Sequence, residues 1–263
     1  MIVPVSSFKI IPGDPDSHII LHVPHSSREI PLGVRTGILL DDAQLKLELD
    51  EMTDSHTDQL AYESAKIAGK QPWIFINELS RLVIDPERFP DDREAMNSVG
   101  MGAVYHKSSH GLKLRTSEFD QELLDKYFHP YALAIEALVN ERLLALNRCL
   151  IIDVHSYRPI AHANSMNKDD LRPAICIGTD PFHTSRSLYE SARSAFAFIG
   201  DIVENQPYSG TYVPLKHYEK DARVEAIMME IRADTFLDDV LTPTCGLAQI
   251  VAGLQQLVRS ASA

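Results

Sequence analysis

Cysteine is scarce in this chain, and the spacing of its cysteines argues against disulfide bonds and cysteine-rich metal sites. Three cysteines occur among 263 residues, and no two of them form a Cys-x-x-Cys pair. The sequence therefore offers neither a dense disulfide framework nor a cysteine-rich zinc motif. Cys149 and Cys176 lie in apolar runs, where we expect small buried side chains. An odd and sparse set of cysteines fits a reducing compartment.

Positive charge and long apolar runs are also scarce. The 25 Lys and Arg residues face 37 Asp and Glu residues, a formal net charge of -12. This balance argues against a nucleic-acid-binding surface or a polybasic membrane anchor, although it says nothing about a local basic pocket. No apolar stretch approaches the roughly 18–20 residues that span a bilayer, and Met1 to Ile11 shows no signal-peptide pattern. We therefore expect a cytoplasmic protein without nucleic-acid or membrane partners.

The apolar runs that are present are short and typical of an α/β protein. They are rich in β-branched residues and nearly continuous rather than alternating, as in strands covered on both faces. The predicted strands are Ile19–Val23, Trp73–Ile76, Leu150–Val154, Ala174–Ile177 and Ala226–Ile231.

Helical patterns lie between these runs and complete the prediction of the fold. The predicted helices run from Asp41 to about Ala68 with a break near Thr53, from an N-cap at Ser117 to about Leu146, from Ser185 to Phe198, and from Gly246 to Val258. The alternation predicts a single domain over residues 1–263, a three-layer α/β fold with a central mixed, mostly parallel sheet. The long irregular segment from Pro86 to His110 is of a kind that is often functional.

Two histidines stand at the ends of predicted strands. His25 follows the run Ile19–Val23, and His155 follows Leu150–Val154. Functional sites of open α/β sheets gather beyond the carboxyl ends of strands, and a polar residue ending so apolar a strand needs a purpose. Each histidine is therefore either a metal ligand or a side chain hydrogen-bonded at a strand end.

Asp54 is a candidate to complete this set. Two imidazoles and one carboxylate, with a position left open for water, are the ligands of a catalytic zinc site. Asp50, Asp54 and Asp58 follow i, i+4 spacing, so a solvated acidic helix face is the alternative. Other candidates for the third ligand are Glu51, His56 and Glu29.

Two further carboxylates lie in predicted strands. Glu230 interrupts a strand-like apolar run, where burial of an uncompensated carboxylate is costly. It is either a general base or the ion-pair partner of Arg232 or Arg223. Asp153 lies two residues before His155 and points to the same face of an extended strand. It either orients a ligand histidine or forms a structural ion pair.

Arg81 and Arg88 follow the predicted strand Trp73–Ile76. Guanidinium groups match carboxylates with two parallel hydrogen bonds, so one or both arginines are candidates to hold a carboxylate-bearing substrate. Arginines on surface loops are more often solvated, and Asp85 is a candidate ion-pair partner for one of them.

Several phrases in the chain together resemble the N-formylglutamate amidohydrolase family. They occur in the order of the family and comprise residues 23–27 (VPHSS), 53–60 (TDSHTDQL), 80–88 (SRLVIDPER), 153–156 (DVHS) and 229–232 (MEIR). The resemblance implies a phosphorylase/hydrolase-like fold related to zinc carboxypeptidases. It also implies a Zn²⁺ cofactor and hydrolysis of an amide on a small carboxylate-bearing substrate.

The resemblance also implies roles for individual residues. His25, Asp54 and His155 would bind the metal, with Asp54 favoured over Glu51, and Glu230 would act as general base. Arg81 and Arg88 would hold substrate carboxylates. A looser part of the match assigns substrate contacts to Tyr212 and Lys216.

One departure from the family pattern bears on the substrate. The family usually has Asp-Leu-Asn-Arg where this chain has Asp85-Pro86-Glu87-Arg88. The arginine is kept, but the loop differs and Glu87 adds a negative charge. The departure concerns the identity of the substrate rather than the type of reaction.

The leading hypothesis from the sequence is a zinc-dependent amidohydrolase that cleaves an N-formyl or N-acyl group from an acidic amino acid such as N-formylglutamate. A carboxypeptidase-like zinc peptidase acting on a small peptide or cell-wall fragment is the first alternative, and it would need an open groove. A non-catalytic protein that binds a metal or a small acid is the second.

Overall fold

The apolar runs of the sequence form the middle of a seven-stranded sheet in the computed structural model, which describes residues 7–66 and 69–262. The strands are β1 (Phe8–Ile11), β2 (Ile19–Val23), β3 (Trp73–Asn77), β4 (Cys149–Tyr157), β5 (Ile175–Gly178), β6 (Ile202–Glu204) and β7 (Val224–Arg232). Their spatial order is β1-β3-β2-β4-β7-β5-β6.

The sheet is mixed and mostly parallel, as predicted. Strands β3, β2, β4 and β7 form a parallel centre. Strand β1 pairs antiparallel with β3, strand β5 pairs antiparallel with β7, and β6 pairs parallel with β5. The five predicted strands are confirmed with small changes at their ends. Strands β1 and β6 were not predicted, because they are short and partly exposed and carry no apolar run.

Seven α-helices occur within the described residues. They are α1 (Leu32–Arg35), α2 (Asp42–Met52), α3 (Thr57–Ala65), α4 (Asp120–Leu123), α5 (His129–Leu146), α6 (Arg186–Phe196) and α7 (Gly246–Ser262). None of the helices in this part of the chain is both long and apolar enough to cross a membrane.

Helices cover both faces of the sheet. Helices α3, α6 and α7 pack on one face, where they bury strand residues such as Leu21 and Ile152. Helix α5 packs on the other face, against Ile20 and Ile151. Successive strand residues point to opposite faces, so a nearly continuous apolar run is buried on both sides. This confirms the single-domain, three-layer α/β fold.

The helix predicted from Asp41 to Ala68 is interrupted, as expected, near Thr53. The interruption separates α2 from α3. His56, just before α3, adopts a φ of 66°, a left-handed conformation that breaks helical continuity. Helix α3 ends at Ala65, and the predicted end at Ala68 lies outside the described residues.

The helical segment after Ser117 contains three kinds of turn. Ser117 opens a short 3₁₀ turn whose N-cap is Thr116, so the predicted N-cap at Ser117 is wrong. Helix α4, a π turn over Leu124–Phe128 and helix α5 follow. Pro130 accounts for the wide turn, because proline lacks an N–H and its ring crowds the carbonyl four residues earlier, that of Lys126.

The carboxyl ends of β2, β4 and β7 lie at one edge of the sheet, and the predicted irregular segment folds over it. Apart from a short 3₁₀ turn over Ala95–Val99, the segment from Pro86 to His110 has no helix or strand of its own. It contributes several side chains to a cavity of about 370 Å³ at this edge. The fold therefore places the candidate residues of three strands and one long loop around a single cavity.

Candidate active site

His25, Asp54 and His155 meet at the carboxyl edge of the sheet. His155 Nδ1 lies 3.3 Å from His25 Nδ1 and 3.0 Å from Asp54 Oδ2, and the separation of His25 Nδ1 and Asp54 Oδ2 is 3.8 Å. All three side chains are buried. They come from the end of β2, from the interruption between α2 and α3, and from β4, so only the folded chain brings them together.

The spacing of these atoms fits a divalent cation. In a tetrahedral zinc site with bonds of about 2.0–2.1 Å, neighbouring ligand atoms lie roughly 3.3 Å apart. The three observed separations scatter around this value. Two imidazole nitrogens and one carboxylate oxygen are also a donor set typical of catalytic zinc.

The carboxylate of this cluster is ionised. Burial raises the pKa of Asp54, but the hydrogen bonds and charges of His155 and His25 outweigh burial and hold the pKa far below its ordinary value. The backbone N–H of Ser156 also donates to Asp54 Oδ2 at 3.2 Å. Asp54 is therefore fixed in the charged form that a metal ligand requires.

The outer ring nitrogen of His25 contacts a buried carboxylate. His25 Nε2 lies 2.9 Å from Asp85 Oδ1, and Asp85 also accepts hydrogen bonds from Arg81 Nη2 at 2.7 Å and Tyr105 Oη at 2.6 Å. A carboxylate on the far nitrogen of a ligand histidine fixes the ring orientation and makes the near nitrogen a better ligand.

Asp153 lies between two histidines. Its Oδ2 is 3.2 Å from His155 Nε2, and its Oδ1 is 2.8 Å from His22 Nδ1. His22 Nε2 in turn lies 2.6 Å from Tyr131 Oη. Of the two roles open at the sequence level, the position of Asp153 supports orientation of His155, since its neighbours are histidines rather than arginine or lysine.

Glu87, the departure from the family pattern, points toward the same imidazoles. Its Oε2 lies 3.2 Å from His155 Nε2 and 3.6 Å from His25 Nε2. Burial and the charge of Asp153 raise the pKa of Glu87. Glu87 therefore lies next to the Nε2 atoms of the two histidines and lines the cavity there.

Glu230 lies beside the cluster without a hydrogen-bond partner for its Oε2 atom. The register of β4 and β7 pairs Glu230 with His155, so the two side chains are neighbours on one face of the sheet. Burial raises the pKa of Glu230 to about 7. A carboxyl group of this kind is suited to accept a proton and return it.

The alternative partners of Glu230 are engaged elsewhere. Arg232 Nε donates to Asp234 at 2.7 Å, and Arg223 pairs with Asp221 at 2.6 Å. Neither arginine forms an ion pair with Glu230 among the described residues. The structural ion pair considered for Glu230 is therefore not formed.

Arg81 and Arg88 both line the cavity, but they differ in how far their charges are compensated. Arg81 contacts Asp85 at 2.7 Å and Asp54 at 3.8 Å. The nearest carboxylates of Arg88, on Asp85 and Glu94, lie at 3.5 and 3.9 Å, and Arg88 Nε has no hydrogen-bond partner. Arg88 is the freer of the two cations.

Two of the predicted substrate contacts do not line this cavity. Lys216 is half exposed, pairs with Glu136 at 3.3 Å and lines a separate surface cavity. Tyr212 stacks near His22, with ring centroids 4.7 Å apart, and lines a neighbouring cavity of about 620 Å³.

The rival candidates for the third ligand are not part of the cluster. His56 Nε2 contacts the carbonyl of Leu241 at 3.0 Å, and Glu29 is exposed. Glu51 lines the cavity, yet the groups of potential ligand atoms found among the described residues do not include it.

Sequence reasoning missed two arginines and two tyrosines of this cavity. Arg158 and Arg172 line it, together with Tyr157 and Tyr208. Arg158 follows His155 by three residues at the end of the same strand, which is a usable signal. Arg172 follows a polar loop and carries no signal of its own.

Comparison with known proteins places the chain in a recognised group. The family model for N-formylglutamate amidohydrolase matches residues 17–237. No curated protein gave a match. Among solved structures, an N-formylglutamate amidohydrolase from Ralstonia eutropha JMP134 superposes with a TM-score of 0.80 at 16% identity, over 98% of each chain. A gene product from Agrobacterium tumefaciens superposes with a TM-score of 0.66 at 16% identity, over 98% of this chain and 96% of the other. At these identities the solved structures establish a shared fold.

Proposed function

Because the chain belongs to the N-formylglutamate amidohydrolase family, we propose that it removes an N-formyl or another N-acyl group from an acidic amino acid with the help of a bound divalent cation. Family membership makes the protein a hydrolase that acts on amide bonds. The observation that carries the more specific proposal is the convergence of His25 Nδ1, Asp54 Oδ2 and His155 Nδ1 beside the unpartnered carboxylate of Glu230.

The cation would be held by His25, Asp54 and His155, and zinc suits this donor set best. When bound, such a cation lowers the pKa of water and polarises an amide carbonyl. Asp85 holds the imidazole of His25 by a hydrogen bond at its outer nitrogen, and Asp153 lies 3.2 Å from the outer nitrogen of His155. Three protein ligands would leave such a cation free to bind water, and all three line the cavity where a substrate would bind.

Glu230 would be the general base. Its carboxylate faces the cavity from β7, adjacent to His155, and accepts the proton that water loses on attacking the amide carbon. It then returns this proton to the leaving amine. Burial raises its pKa, and a bound cation nearby would lower it again, favouring the ionised form that accepts the proton.

Arg81 and Arg88 would contact different groups of the substrate. Arg81, anchored by Asp85, lies within 3.8 Å of Asp54, close enough to stabilise negative charge that develops on the carbonyl oxygen. Arg88, whose charge is less compensated, would hold a carboxylate of the substrate.

The size of the cavity favours a small substrate. About 370 Å³ is at the lower end of the range for small-molecule sites, and the segment from Pro86 to His110 covers it on one side. These features support an amino-acid deacylase over the peptidase that the sequence left as an alternative.

The proposal is tested by a hydrolysis screen of N-acyl amino acids with and without added zinc. N-formyl, N-acetyl and longer N-acyl derivatives of glutamate and aspartate are compared with the same derivatives of glutamine, asparagine and leucine, and with short peptides. Release of the free acidic amino acid, dependent on metal, is the expected result. Preferential hydrolysis of the peptides, or turnover unaffected by a chelator, would overturn it.

A further inference from the structure

Four arginines line the candidate active-site cavity, and their charges are not equally available. Arg81 and Arg88 each lie within 4.0 Å of two carboxylates. Arg158 and Arg172 also line the cavity, yet neither has an acidic partner within that distance in the part of the chain that the structure describes. The uncompensated positive charge of the cavity therefore lies with Arg158 and Arg172.

The guanidinium of Arg172 lies beside two aromatic rings and donates hydrogen bonds to the Arg158 carbonyl and to Tyr208 Oη. Its guanidinium carbon lies 4.8 Å from the ring centroid of Tyr157 and 5.8 Å from that of Tyr208. Its Nε and Nη2 atoms donate to the carbonyl of Arg158 at 3.0 and 2.8 Å. None of these partners carries a negative charge, so they fix the position of the guanidinium and leave its charge in place.

Arg158 differs from Arg172 because its backbone is fixed but its guanidinium is not. Its backbone is fixed at the end of β4 by the two hydrogen bonds from Arg172, while its side chain makes no hydrogen bond or ion pair with the described residues. It follows His155 by three residues, at the same edge of the sheet. A half-buried guanidinium without a partner is free to close on a ligand, and its planar fork matches a carboxylate.

We propose that Arg158 and Arg172 form a carboxylate subsite in the cavity, distinct from the one that Arg88 would supply, so that the two carboxylates of an N-acyl acidic amino acid would be held by different arginines. Arg158 contacts the carboxylate directly, and Arg172 fixes the backbone of Arg158 and adds its charge. This inference rests on the proposed function for the identity of the substrate, although the subsite itself is a property of the cavity.

The remaining groups around the subsite are compatible with an anion. Burial lowers the pKa of His162, another residue of this cavity, to about 4, so its ring is neutral at pH 7. The cavity also carries the uncharged side chains of Tyr208, Ser165 and Asn167. Glu230 lines the same cavity, and burial together with its charge raises the pKa of Tyr157 and Tyr208, the two rings beside Arg172. A carboxylate at the subsite would meet two cations, with the Glu230 carboxyl elsewhere in the cavity.

The subsite is tested by calorimetric binding of glutarate and of its neutral diamide to the zinc-loaded full chain. We expect Arg158→Gln to weaken glutarate binding by about 10- to 100-fold, the range for a hydrogen bond to a charged group. The diamide, which lacks both carboxylates, should bind wild type and Arg158→Gln within about threefold of each other. Arg158→Lys should restore part of the affinity for glutarate. Arg193→Gln, which removes an exposed arginine outside this cavity, is the matched control and should change neither affinity.

Equal losses for glutarate and its diamide, or no loss for either, would overturn the subsite. Thermal unfolding of Arg158→Gln should match wild type, because the side chain makes no contact that the substitution removes. The experiment also separates the two proposals. If glutarate binding depends on Arg158 but no N-acyl amino acid is hydrolysed, the subsite stands and the proposed function fails.

Discussion

The backbone N–H of Asp54 donates to the carbonyl of His25 at 3.0 Å. The two residues are far apart in the sequence, one at the interruption between two helices and the other just after a strand. This hydrogen bond joins their main chains directly, so two of the three candidate metal ligands are positioned relative to each other by backbone rather than by side-chain contacts. The third, His155, is fixed by its place in a fully buried strand.

Metal binding should stabilise the protein through this cluster. At zinc concentrations about 100-fold above the dissociation constant, we expect a gain of about 2.7 kcal/mol in the free energy of unfolding. In His155→Gln, which lacks one ring nitrogen of the cluster, the gain should be lost. His162→Gln changes a histidine of the same cavity outside the cluster and should respond to zinc as wild type does. Thermal unfolding with and without zinc measures both effects, and equal responses of all three proteins would contradict the assignment.

Glu230→Gln should abolish turnover while leaving metal binding intact. The amide keeps the shape of the side chain but cannot accept the proton, so we expect a loss of about 10²- to 10⁴-fold in kcat. Zinc content, measured on the purified protein, should stay that of wild type. Glu136→Gln lines the neighbouring cavity and serves as the control for loss of a carboxylate. A Glu230→Gln variant with wild-type kcat would remove Glu230 from the mechanism.

Asp85→Asn should affect both the metal and the fold. The substitution weakens the hold on the His25 ring, for which a 10- to 100-fold loss of metal affinity is typical. It also leaves the buried Arg81 without its closest anion, which costs roughly 3–5 kcal/mol. Denaturant unfolding of the metal-free protein isolates the second effect.

Asp50→Asn provides the matched comparison for Asp85→Asn. Asp50 also has two cationic partners, Arg28 and Lys46, but these ion pairs are exposed. Exposed pairs contribute about 1 kcal/mol or less, so this variant should unfold nearly as wild type does. A similar cost at both positions would show that burial does not determine the strength of the Asp85 pair.

His18 should make the fold less stable in mild acid. Burial, together with the charges of Arg148 and Lys70, lowers the pKa of His18 to about 4. The unfolded chain takes up this proton at about pH 6.5, so unfolding is favoured progressively as the pH falls from about 6.5 to about 4. The contribution is up to about 3 kcal/mol. Denaturant unfolding at pH 7 and pH 4.5 should therefore show a smaller loss for His18→Gln than for wild type. Equal losses would contradict the burial of a neutral ring.

Much of the fold could be predicted because its central strands are buried on both faces. Such strands appear in the sequence as continuous apolar runs, and five of them were recognised. Strands β1 and β6 lie at the edges of the sheet, where partial exposure removes this signal. The π turn before α5 could not be predicted from periodicity, since it depends on how the chain accommodates Pro130.

The candidate site was predictable to the extent that its residues interrupt apolar strands or belong to family phrases. His25, His155 and Glu230 stand out because polar side chains in such places need compensation. Arg158 had only its place three residues after His155 as a signal, and Arg172 had none. Neither has an acidic partner among residues 7–66 and 69–262, and this property of the folded surroundings is not encoded by any spacing in the sequence.

The pairing of β4 with β7 makes the position of Glu230 sensitive to whether the strand is shifted by an odd or an even number of residues. Nine consecutive residues of the two strands pair one to one, and side chains alternate between faces along each strand. Removing a single residue from β7 ahead of Glu230 would put Ile231 opposite His155 and turn the carboxylate into the apolar layer beneath α7. A change of two residues would preserve the facing but move the carboxylate about 7 Å along the strand. Insertions and deletions are therefore far less tolerable in this strand pair than substitutions of its apolar residues for one another.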